Sequence, residues 1–98
     1  MNSLIRIRPE AEHDLSDAAS WYESQRAGLG HEFLDEVEAV FSTIAATPFI
    51  YPIVHRNTRR AIMRRFPFCV YYRLVDRTPV IFAVMHGSRN PRRWKNRQ

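Results

Sequence analysis

Apolar and polar positions change period twice along the chain, and each change marks a boundary between elements. Residues 4–9, LIRIRP, alternate apolar and basic side chains and stop at Pro9, which predicts a short strand at a sheet edge. Beyond Pro9 the spacing becomes helical. Ala11, Leu15, Ala18, Ala19 and Tyr22 fall on one face, and Glu10, Glu12 and Asp14 crowd the first turn, where the helix dipole favours negative charge. Gly28 and Gly30 break that pattern and predict a turn within residues 25–32. Phe33, Val37, Val40, Phe41 and Ile44 then make the stripe of a second helix, which must stop before Pro48. Two helices so closely joined predict an antiparallel hairpin with its acidic residues on the solvent side.

After a proline-interrupted connection at 47–60 the period returns to two. RRAIMRR at 59–65 reads as a strand that pairs with the start of a meander. Phe66, Phe68, Val70, Tyr72 and Leu74 alternate with Pro67, Cys69, Tyr71, Arg73 and Val75, and DRT at 76–78 is a tight turn. PVIFAVMH at 79–86 is almost continuously apolar, the pattern of a strand covered on both sides. The expected order is β-α-α-β-β-β. It is an α+β arrangement in which the helical hairpin packs on one face of a small, mainly antiparallel twisted sheet. Residues 1–98 read as one domain, a length that supports one core.

Charge sharpens this picture. The net charge of +5 divides unevenly: residues 1–54 hold three basic and nine acidic residues, whereas 55–98 hold twelve basic residues and the single acid Asp76. Fourteen of the fifteen basic residues are arginines, whose planar forks suit phosphate or carboxylate. A GC-rich genome would also favour arginine, but codon usage explains the one-sided placement less well. Cys69 is the only cysteine, which excludes an internal disulfide and a multi-cysteine metal site. No apolar run approaches the roughly 20 residues of a membrane span, and the N-terminus lacks a secretory leader pattern. A cytoplasmic protein with no cofactor, no metal and no membrane partner is expected.

The chemistry-bearing residues gather in the second half. Arg59, Arg60, Arg64 and Arg65 flank Ala61–Met63. By strand parity Arg60 and Arg64 share one face, while Arg59 and Arg65 share the other. The end of the chain, VMHGSRNPRRW, runs from the last strand into Arg89, Arg92, Arg93 and Trp94. Gly87 allows the chain to leave the sheet, and Asn90-Pro91 signals a turn. His86 is either a structural residue at a strand end or an acid–base group. Trp94 either covers the end of the core or joins a cationic contact surface. Tyr71 points opposite to Tyr72 and is the aromatic expected to be exposed. His55 has no evident partner, and spacing alone does not bring it to His86.

RPEAEHDLSDAASWYESQ opening a helix, the Phe-Val-Phe-Ile stripe ending in ATP, RRAIMRRFPFCVYYRL in the meander and VMHGSRNPRRW at the end together resemble the RelE/ParE toxin superfamily of bacterial type II toxin–antitoxin (plasmid stabilisation) modules. The resemblance covers almost the whole chain. It implies a cognate antitoxin that wraps and neutralises the toxin in a hetero-oligomer, and one of two activities. RelE-like members are ribosome-dependent endoribonucleases acting on mRNA, whereas ParE-like members share the fold and poison DNA gyrase.

RNA cleavage through the 2′-hydroxyl needs a base, positive charge for the phosphate and an acid for the leaving group. Where RelE-like toxins carry an arginine before the central strand this chain has Cys69, and no lysine stands on the preceding strand. An atypical set of Arg60, His86 and Arg89 is the remaining nuclease alternative, and an inactive antitoxin-binding module is a third reading. The HGSRNP ending is closer to the ParE-like branch. That branch implies a growth inhibitor acting by binding rather than catalysis. The expected antitoxin or target surface comprises Arg59, Arg60, Arg64, Arg65, Tyr71, Arg89, Arg92, Arg93 and Trp94.

Overall fold

A computed structural model describes residues 5–98; Leu4, placed above in the first strand, lies outside the described residues. The order is β1 (Arg6–Ile7), α1 (Pro9–Gln25), α2 (Leu29–Ala46), β2 (Ile53–His55), β3 (Thr58–Ile62), β4 (Phe68–Val75), β5 (Thr78–His86) and α3 (Arg92–Lys95). One five-stranded sheet has the strand order β1-β5-β4-β3-β2, antiparallel except where β1 runs parallel to β5 at the edge. The α+β architecture, with α1 and α2 on one face, is the one the periodicity predicts.

Three details differ from the sequence expectation. Strand β2 lies inside the stretch taken as connection, because three residues with an exposed Ile53 carry no readable alternation. Strand β3 ends at Ile62, so Arg64 and Arg65 do not follow strand parity. The turn between the helices is confined to residues 26–28, and Gly30 lies inside α2. Gly28 supplies the positive φ of +88° that reverses the chain. Gly30 instead permits close helix contact, since a Cβ there would stand 2.5 Å from the Ala19 carbonyl oxygen. The Glu23 carboxylate accepts the N–H groups of Gly28 and Gly30 at 3.0 and 3.1 Å, satisfying donors that open α2.

Packing follows from the alternation on β4 and β5. Val70 and Tyr72 face the helices and join Tyr22, Phe33, Val37, Phe41, Ile44 and Phe66 in the main core. The Tyr72 hydroxyl donates to the Pro48 carbonyl at 2.7 Å, which ties the end of α2 to the sheet. Cys69 and Tyr71 face the other way, with Phe82, Ala83, Met85 and Trp94 in a second cluster. Between the pairs Tyr72–Ile81 and Tyr71–Ala83 the ladder skips Phe82, which makes a β-bulge. The bulge turns both Phe82 and Ala83 to the second face and returns Val84 to the helix side. Asp76 and Arg77, with φ of +51° and +68°, form the two-residue hairpin turn between these strands.

The outer edge of β5 is only partly paired. Strand β1 covers Val80 and Ile81. Beyond them the Val84 N–H donates to the Asp14 carboxylate of α1 at 2.9 Å, and the Phe82 carbonyl accepts from Arg97 Nη1 at 3.2 Å. Arg97 also grips Asp14 through both terminal nitrogens, at 2.6 and 3.2 Å. A partly buried ion pair therefore stands where a longer β1 would have been. Glu32 is held similarly at the surface. Hydrogen bonds from Arg26 and Arg65 hold its carboxyl below the usual range.

Two outcomes follow for denaturant unfolding. Gly30→Ala forces α1 and α2 apart and should cost about 1–3 kcal/mol; an unchanged midpoint would show that the helices do not meet closely there. Arg97→Ala leaves Asp14 partly buried without its cation and should cost about 2–3 kcal/mol, whereas a loss within about 0.5 kcal/mol, as at an ordinary surface site, would exclude the clamp.

Candidate functional site

The sequence-predicted residues separate into those that hold the fold and those left free. Arg59 turns toward the loop before β2, where Nη1 donates to the carbonyls of Phe49 and Tyr51 at 3.2 and 2.7 Å, and its guanidinium lies 5.1 Å from the Phe49 ring centre. Arg65 pairs with Glu32, and the backbone N–H groups of Arg64 and Arg65 donate to Glu36 of α2 at 2.7 and 3.2 Å. Arg59 and Arg65 thus act as internal ties, whereas the Arg64 side chain stays exposed.

Tyr71 is the clearest correction. It does point opposite to Tyr72, but it is only 3% exposed, because α3 covers that face. Trp94 stacks on it with ring centres 4.4 Å apart and planes 17° from parallel, and is itself 5% exposed. Trp94 therefore covers the second core cluster and is not part of a surface. Lys95 lies 5.7 Å from the indole centre and His55 6.0 Å. Burial, then Lys95 and Arg56, lowers the His55 pKa and favours the neutral imidazole. Burial raises the Cys69 thiol and the Tyr71 hydroxyl, with the Arg60 cation opposing the rise in each.

The nuclease alternative of Arg60, His86 and Arg89 does not assemble. Arg60 pairs with Tyr71 in the ladder and sits on the α3 face, where its Nε is buried without a partner among the described residues. His86 pairs with Phe68, and their rings meet at 5.5 Å on the helix face. The bulge at Phe82 sets this parity, and no period-two reading of the strand contains it. His86 is held locally: Nδ1 accepts from the Ser88 N–H at 3.1 Å and lies 2.8 Å from its hydroxyl. His55 belongs to β2, and strands β3 and β4 stand between it and His86.

Arg89, Arg92 and Arg93 remain. All three are exposed, and their side chains make no ion pair among the described residues. Asn90 Oδ1 accepts the Arg92 N–H at 3.0 Å, which starts the turn of α3 that aims these cations outward while Trp94 points in. Arg89 and Arg93 also line a groove of about 1020 Å³ between α1 and the end of β5, together with His13, Asp17, Trp21 and His86. The sequence reading missed this groove and the Asp14–Arg97 pair. The pair is 83 residues apart and carries no local signal. No group of metal-ligating side chains occurs among the described residues.

Comparison with known proteins places these features in a family. The family model described as ParE toxin of type II toxin-antitoxin system, parDE, matches residues 5–91. Toxin ParE2 of Mycobacterium tuberculosis, in strains CDC 1551 and H37Rv, is 30% identical over 96 residues, covering 93% of this chain and 88% of the relative. The solved structure described as Chromosomal ParDE TA system from P. aeruginosa shares the fold at a TM-score of 0.73 and 12% identity. The match covers 87% of this chain and 98% of that one. The chain belongs to the ParE toxin family of type II toxin–antitoxin systems.

Proposed function

We propose that this toxin inhibits bacterial growth by binding and poisoning DNA gyrase, without catalysis of its own, and that a cognate antitoxin neutralises it. The observation that carries this reading is the match to the ParE toxin family over residues 5–91. Two features of the molecule support it. Arg60 lies across the sheet from His86, so the set proposed for an mRNA nuclease is divided between two faces. The free arginines Arg89, Arg92 and Arg93 are presented on a short, anchored segment, which suits recognition of an acidic or phosphate-bearing surface. The P. aeruginosa structure that shares the fold is that of a ParDE system, which supports an antitoxin partner here. No described helix is long and apolar enough to cross a membrane, and both partners are taken to be met in the cytoplasm.

Purified toxin added to DNA gyrase should block supercoiling and accumulate cleaved DNA, and prior addition of antitoxin should prevent both. Unchanged supercoiling and cleavage at large molar excess would overturn the gyrase assignment. Codon-linked cuts in translated mRNA would replace it with the nuclease.

A further inference from the structure

We propose that the free edge of β2, with the apolar side chains of Phe49, Ile50 and Ile53 beside it, seats an extended acidic segment of the toxin's protein target. This rests on the gyrase reading and names the surface through which the target is held.

The first argument is the direction of the main chain. Strand β2 is the outermost strand on its side of the sheet. The Arg60 N–H donates to the Pro52 carbonyl at 3.1 Å, and Ile53 is the residue opposite Arg59. Antiparallel ladders alternate, so Ile53 and Arg59 form a non-hydrogen-bonded pair. The N–H and carbonyl of Ile53 therefore point away from β3, out of the sheet edge. An added strand pairs with such groups. An edge of three residues admits few main-chain bonds, so neighbouring side chains must carry much of the affinity.

The second argument is the set of anchors. Phe49, Ile50 and Ile53 are 70%, 61% and 54% exposed. Arg59 gathers them: it stands across the ladder from Ile53, and its guanidinium lies 5.1 Å from the Phe49 ring centre. Its Nη1 bonds the carbonyls of Phe49 and Tyr51 on either side of Ile50, whose own N–H donates to the Thr47 carbonyl at 3.0 Å. The loop is thus held in shape before a partner arrives, which lowers the ordering cost of binding. Apolar side chains exposed together in this way mark a contact surface.

Charge selects the occupant. The chain has no acidic residue between Glu38 and Asp76. Arg56, in the β2–β3 turn with a φ of +52°, is exposed and makes no ion pair among the described residues. A second copy docked edge to edge would bring His55, Arg56 and Arg59 against their own counterparts, with no carboxylate to separate them. A nucleic acid would meet the cations but leave the strand edge and the aliphatic side chains of Ile50 and Ile53 unused. An acidic protein strand engages edge, anchors and cations together. The edge also continues into the arginine segment that recognises the target, since His55 and Lys95 lie 6.0 and 5.7 Å from the Trp94 ring centre.

The test uses the whole toxin with assembled DNA gyrase, and reads amide hydrogen exchange and inhibition of supercoiling. Gyrase should slow exchange at Ile53. Phe49→Ser combined with Ile50→Ser should raise the toxin concentration for half-inhibition about tenfold or more, as expected for loss of interface anchors. Arg56→Glu, at an exposed side chain, should raise it as well while leaving the unfolding midpoint unchanged. Inhibition by every variant at the parent's concentration, with Ile53 exchange unaltered by gyrase, overturns the surface and leaves the gyrase reading intact. Ile53 protection by DNA alone, by the antitoxin alone, or by raised toxin concentration alone gives the edge to that occupant and overturns the proposal. Failure of the parent toxin to inhibit gyrase removes the gyrase reading, and this inference with it.

Discussion

Strand β5 is buried on both faces, and that constraint organises the molecule. Residues Val80 to Met85 carry no exposed side chain, so the sheet needs a cover on each side. The helical hairpin supplies one, with Tyr22 and Phe33 packed against Phe66 and Phe68. The other is a single turn of helix that lays Trp94 on Tyr71. So short a helix has little stability of its own. It is held by that stacking and by Arg97 on Asp14.

The division of charge acquires a partly structural meaning. The acidic helices meet the basic second half of the chain at three places: Glu32 with Arg65, Glu36 with the backbone of Arg64 and Arg65, and Asp14 with Arg97. Arg59 is likewise engaged, by loop carbonyls. The arginines expected at a contact surface divide into ties, at Arg59 and Arg65, and exposed side chains, at Arg64 and in the group of Arg89, Arg92 and Arg93. The same short segment therefore joins fold and recognition, with its indole turned in and its guanidinium groups turned out.

Much of this was legible because side-chain period reports burial directly. The helical stripes, the β4–β5 hairpin and the doubly buried last strand all follow from repeating apolar positions. The bulge at Phe82 was not legible, since one skipped residue leaves a continuously apolar run unchanged. It nevertheless decides that His86 and Arg60 face opposite ways. Tyr71 shows a second limit. Parity placed it on the correct face, but only the return of a distant segment buries it. The Asp14–Arg97 clamp and the groove beside it depend on the same long-range return.

The ParE family assignment, reached through order and ending, agrees with a molecule that presents an exposed arginine group on the segment after β5. The central claim is that the segment after β5 is core on one side and contact surface on the other. Equilibrium denaturant unfolding of two variants tests it most directly. Trp94→Ala should lose about 3–5 kcal/mol, the cost of removing a buried tryptophan, while Arg92→Ala combined with Arg93→Ala should stay within about 0.5 kcal/mol of the parent per site. Equal stability of the two variants would contradict the account.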